Sequence, residues 1–94
     1  MEIKREERNS KGSFYVETEG KRLAEMTFTY AGSHRIIIDH TEVSDALRGQ
    51  GAGKQLVSAA VNWARENQMK ILPLCPFARA VFEKTPAFAD VWDR

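Results

Sequence analysis

The sequence predicts an α+β (mixed α/β) domain: a mixed sheet of about five strands with one main helix and a short C-terminal helix. Three observations lead there. The first half alternates apolar and polar side chains with period two, the signature of strands. A glycine-rich loop at 48–54 then opens a stretch of helical periodicity. A second apolar run at 69–75 follows that helix, so a βαβ crossover completes the sheet.

Taken in order, the charged segment 4–8 behind Ile3 suits an edge strand or a solvated terminus. Asn9, Ser10, Lys11 and Gly12 form a turn, and 13–18 is β-rich. Glu19, Gly20 and Lys21 make a tight hairpin turn. From Leu23 to Tyr30, Ala24, Met26, Phe28 and Tyr30 alternate with Leu23, Glu25, Thr27 and Thr29, giving a long strand with one apolar face. After a turn at 31–33, the strand 34–43 contains Ile36, Ile37 and Ile38 in succession, the pattern of a central strand buried on both faces. Over 51–66 a helix places Ala52, Leu56, Ala60 and Trp63 on one stripe, flanked by Val57, Val61 and Ala64, and Asn67 stops it. In the strand 69–75, Pro73 removes a ladder hydrogen bond near the middle. Pro76 opens a short helix to Lys84, which Pro86 ends. Phe14, Phe28, Phe77, Phe82, Phe88 and Trp92 are assigned to the core, with Trp63 facing the sheet and the hydroxyls of Tyr15 and Tyr30 at the rim.

Composition excludes several classes. The 94 residues make one domain, 1–94, short for an enzyme. Fourteen Lys and Arg against thirteen Asp and Glu leave a net charge of +1, with no basic footprint for nucleic acid. No apolar run spans a membrane, and the charged start is no secretory signal. One cysteine rules out an intrachain disulfide, which makes the reducing cytoplasm the expected compartment. With two histidines and no ligand-like spacing, no metal site is expected.

The strongest local signal is the loop Arg48, Gly49, Gln50, Gly51, Ala52, Gly53, Lys54, between a strand and an amphipathic helix. A helix start offers unpaired N–H groups and partial positive charge, glycines let a ligand approach the backbone, and Arg48 and Lys54 add charge. Together these fit a phosphate or pyrophosphate. Arg48 and Gln55 stand where a P-loop needs a glycine and a hydroxyl, and glycines at 49, 51 and 53 miss the dinucleotide fingerprint.

Arg48, Gly51 and Gly53 match the R/Q-x-x-G-x-G/A signature, and the chain resembles the GNAT superfamily of acyl-CoA-dependent N-acetyltransferases. Val43 with Arg48 and Gly49 resembles the family's V-x-P-x-x-R-G approach, with Asp45 in the proline's place. Segment 75–84 resembles N-x-x-A-x-x-x-Y-E-K. The stretch 39–43 is shared with small stand-alone GNAT-like proteins.

The resemblance implies a GNAT-like fold with acetyl-CoA in a cleft where the fourth and fifth strands splay. Backbone amides from Gly49 through Gln50, Gly51, Ala52 and Gly53 to Lys54, beside Arg48, would hold the pyrophosphate. Free main-chain groups at Glu42 and Val43 would pair with the pantetheine arm. The helices that cover the acceptor site in larger relatives have no room between the first two strands here. The implied acceptor site is therefore open, suited to a protein or peptide amine or a polyamine. The implied partner is acetyl-CoA, with the chain a monomer or weak dimer.

Two departures touch catalysis. The family's general-acid Tyr is Phe82 here, and its Asn at the end of the fifth strand is Cys75. Cys75, implied to lie at the thioester sulfur, could protonate the leaving thiolate, accept the acetyl group, or merely fill space. His40 is a candidate general base, since imidazole is the side chain suited to exchanging protons near neutral pH, and it is placed on the face of Ile36, Ile38 and Glu42. Glu42 is the other candidate base. The competing reading is a module that binds CoA or acetyl-CoA without turnover, which the loss of the Tyr hydroxyl favours.

Overall fold

Two tight turns and one crossover set the sheet. In the computed structural model, which describes residues 1–94, Asn9 and Ser10 alone join β1 (Lys4–Arg8) to β2 (Lys11–Thr18). Glu19 and Gly20, both at positive φ, join β2 to β3 (Lys21–Tyr30). Turns of this kind match the twist of antiparallel strands. β4 (Arg35–Val43) runs antiparallel to β3, and β5 (Lys70–Pro73) lies parallel to β4. The five strands stand in sequence order. The helix α1 (Ala52–Glu66) makes the crossover, and α2 (Pro76–Lys84) follows β5, ahead of a 3-10 segment Pro86–Val91. The expected mixed sheet is present, and no helix separates β1 from β2.

Strand limits differ from expectation where glycine and proline act. Gly12 is a strand residue and not part of a turn. A Cβ there would lie 2.4 Å from the Glu6 carbonyl oxygen and 2.6 Å from Phe28 Cζ, so only glycine lets β1 and the Phe28 ring close on β2. Pro73 ends β5 instead of interrupting it.

One hydrophobic cluster joins both helices to a single sheet face. Phe14, Met26, Phe28, Ile36 and Ile38 meet Leu56, Val57, Ala60 and Val61 of α1, and Ala78 and Phe82 of α2. The alternate residues Glu25, Thr27 and Ile37 stay part-exposed on the other face. β4 is therefore not buried on both sides as its three isoleucines predict: Ile37 lies half-buried on the open face. The edge strand β1 is held by Arg5, whose guanidinium sits 4.5 Å from the centre of the Trp63 ring and donates to the Tyr30 hydroxyl at 3.1 Å. No helix is long and apolar enough to cross a membrane.

Candidate active site

A bulge in β4 decides which side chains meet. Thr27 pairs with His40 but Phe28 pairs with Ile38, so Asp39 is one residue too many on β4. An inserted residue reverses the alternation of faces. Before it, Ile36 and Ile38 point into the core. After it, Thr41 takes the core side opposite buried Met26, while His40 and Glu42 turn to the open face opposite Thr27 and Glu25. This corrects the placement of His40 beside Ile36 and Ile38, because strict period two holds only for an unbroken ladder. His40 and Glu42 do remain neighbours: Nε2 and Oε1 are 3.0 Å apart, both side chains exposed.

The same strand parts from β5. Their parallel ladder ends at Ile38 and Pro73, and the amides of Leu74 and Cys75 both donate to the Ile38 carbonyl at 3.2 Å. The chain then turns away into α2. Residues 39–43 are thus left without a ladder partner on the β5 side.

Cys75 closes the inner end of this gap. It is 5% exposed, precedes the first turn of α2, and its thiol donates to Thr41 Oγ1 at 3.4 Å. Burial, the largest single influence, pushes the thiol pKa up. The Thr41 hydroxyl and the amides of Ala78, Phe77 and Thr41 pull it down and together outweigh burial, holding it below the ordinary value. None of the α2 amides makes a full capping hydrogen bond to the sulfur, so they act as aligned dipoles at a helix start. Thr41→Val is expected to move the thiol's ionisation to higher pH. The pH dependence of alkylation by iodoacetamide reads this without ambiguity, since Cys75 is the only cysteine.

The glycine loop lies at the far end of β4's free edge. Gly49 and Gly51 adopt φ of 80° and 70°, with open space where a Cβ would stand. Gly51 is the N-cap of α1, and neither a side-chain cap nor an acidic residue serves the first turn. Its leading amides are therefore free for an anion, the fit that a diphosphate requires. Lys54 is exposed on that turn, and Arg48 reaches Asp45 at 2.9 Å. Gly53 differs from the expectation of ligand approach: a Cβ there would lie 2.5 Å from Phe77 Cζ, so this glycine admits an aromatic ring.

Phe77 is 43% exposed and so leaves the expected core set. Phe82 is buried against Phe88 and Trp92, with no hydroxyl to offer. The rim tyrosines are engaged elsewhere: Tyr30 by Arg5, and Tyr15 beneath the Arg22 guanidinium, 3.8 Å from its ring centre. Cys75 and Thr41 thus meet on the helix side of β4, and His40 and Glu42 meet on its open side. Val43, 41% exposed, ends the free edge. Sequence reasoning missed Thr41 because only the bulge turns it toward Cys75, and no local signal marks a bulge at Asp39. No group of three or more His, Cys, Asp or Glu side chains is placed to hold a metal ion.

A mixed sheet parted between its fourth and fifth strands, beside an uncapped helix behind a glycine loop, defines an acyl-CoA N-acyltransferase fold. Residues 13–91 match the family model of the GCN5-related N-acetyl-transferases, and the chain belongs to that family. A solution structure described as a GCN5-like N-acetyltransferase from Staphylococcus aureus is 44% identical, with a TM-score of 0.75 over 98% of this chain and 87% of that one. Protein NATD1 of Xenopus tropicalis is 32% identical over 67% of this chain and 58% of its own length. The chain thus spans just over half the length of the curated relatives it matches. An acetyltransferase of Bacillus anthracis, solved with acetyl coenzyme A, shares the fold at 19% identity and a TM-score of 0.56, over 70% of this chain and 38% of that one.

Proposed function

We propose that the protein is an acetyl-CoA-dependent N-acetyltransferase that works across its sheet, taking the thioester on the helix side of β4 and the amine on the open side. The observation that carries this reading is the bulge at Asp39, which sends Thr41 toward Cys75 and turns His40 and Glu42 to the other face at the parted edge. Acetyl-CoA as substrate supplies an acyl group on a good leaving thiolate. The amides of Gly49, Gly51, Ala52, Gly53 and Lys54, beside Arg48, hold the diphosphate, whereas the expected Gln50 amide is taken by the Leu47 carbonyl at 3.2 Å, and the free edge at Glu42 and Val43 pairs with the arm as an added strand. An amide of that edge also polarises the thioester carbonyl.

His40 removes the proton from the acceptor ammonium, with Glu42 orienting its ring through the 3.0 Å contact. Cys75 gives its proton to the departing CoA thiolate, and its lowered pKa eases that transfer. Because His40 stands on the other face, it cannot serve Cys75 as the base of a Cys–His nucleophile. This favours direct transfer over an acetyl-cysteine. The open face admits a protein or peptide amine or a polyamine, and the setting is the reducing cytoplasm, with the chain a monomer or weak dimer. A second reading, a CoA-binding module without turnover, is favoured by the missing hydroxyl at Phe82.

The test is release of free thiol from acetyl-CoA with a panel of peptide amines and polyamines. Acceptor-dependent release is expected. His40→Gln should lower kcat at least about tenfold, with the CoA dissociation constant unchanged. Binding of CoA with no acceptor-dependent release would leave the module reading.

A further inference from the structure

Phe77 stands apart from the other aromatic side chains. Phe14, Phe28 and Phe82 are buried, whereas Phe77 is 43% exposed. A single exposed ring is ordinary on a protein surface; the meaning lies in what holds this one and where. The ring fills the space of the absent Gly53 Cβ, so it rests on the first turn of α1, whose amides are uncapped. The residue's own amide is among those that stabilise the ionised Cys75 sulfur. One residue therefore touches both ends of the path from the anion-binding turn to the candidate catalytic thiol.

We propose that the Phe77 ring is the surface on which the apolar part of the pantetheine arm closes, and that it selects CoA over nucleotides sharing its diphosphate. The inference rests on the acetyl-CoA reading above. An arm running from a diphosphate at Gly51 and Ala52 to a thioester beside Cys75 passes Phe77, because its ring abuts Gly53 and it stands two residues after Cys75 in the first turn of α2. The arm's paired methyl groups are its one compact apolar feature, and they suit an aromatic face. Burying the exposed part of the ring against them favours the complex through apolar area removed from water. The ring is already wedged against Gly53, so little freedom is lost on binding.

The experiment titrates the full chain with CoA and with ADP, which carries the diphosphate without the arm, and follows amide chemical shifts. Phe77→Ala is expected to weaken CoA about tenfold, with ADP within about twofold of the unsubstituted protein. Phe77→Leu should fall between. Unchanged CoA affinity in Phe77→Ala overturns the proposal while leaving the acetyltransferase reading intact. Equal weakening of CoA and ADP also overturns it, because the loop itself would then have been disturbed. Failure of the unsubstituted protein to bind CoA overturns both.

Discussion

Replacing Cys75 by alanine is expected to lower kcat for acetyl transfer by about a hundredfold, the span typical of a lost general acid. The dissociation constant of CoA should stay within about threefold. The split follows from the geometry. Cys75 sits at the inner end of the parted strands with its thiol on Thr41, whereas the amides proposed to hold the diphosphate belong to the start of α1. Cys75→Ser keeps the size but offers a hydroxyl far less acidic than the thiol, so it should resemble alanine and not the unsubstituted protein. Mass spectrometry after incubation with acetyl-CoA separates the two active roles of the thiol. No acetyl adduct is expected, because the imidazole that could activate a nucleophile faces the other side of β4. An adduct that is lost in Cys75→Ala would instead make the thiol an acyl carrier.

The second large effect is on stability. Phe28→Ala should cost about 4 kcal/mol, the middle of the range for a buried aromatic residue. That is a large share of the roughly 5–15 kcal/mol that holds a domain together. Phe28 is 1% exposed, and its ring stands 5.4 Å from Phe14, 5.8 Å from Tyr30 and 6.1 Å from Trp63, centre to centre. It also lies over Gly12, whose missing Cβ leaves room for the ring beside β1. Removing it opens a cavity under the sheet and loosens the edge strand together. Urea denaturation should show the midpoint falling with little change in slope. A loss under about 1 kcal/mol would show that the cluster around Trp63 is not the support described.

The order of elements was legible because each rests on a periodic pattern. Alternation from Leu23 to Tyr30 marks a strand with one buried face, and the stripe through Leu56 and Ala60 marks the helix that covers it. The sharp turn from strand to helix was legible in the glycine loop, where Gly49 and Gly51 adopt positive φ. The site's facing was not legible. A single extra residue, Asp39, inverts everything after it, and bulges obey the partner strand as much as their own sequence. Gly53 and Phe77 were misread for a related reason. Their fit joins α1 to α2, and a contact between residues 24 positions apart leaves no periodic trace. The three isoleucines of β4 describe a strand covered twice, yet only one face has helices above it.

Acetyl-CoA is proposed to lie along the free edge of β4, from the start of α1 to Cys75. Amide chemical-shift mapping during titration with acetyl-CoA reads that path residue by residue. Saturable shifts are predicted at Gly49, Gly51, Ala52 and Lys54 of the loop, at Glu42 and Val43 of the free edge, and at Cys75 and Phe77, with β1 and the β1–β2 turn undisturbed. Shifts confined to β1 and β2, or no saturable shift at all, would contradict it.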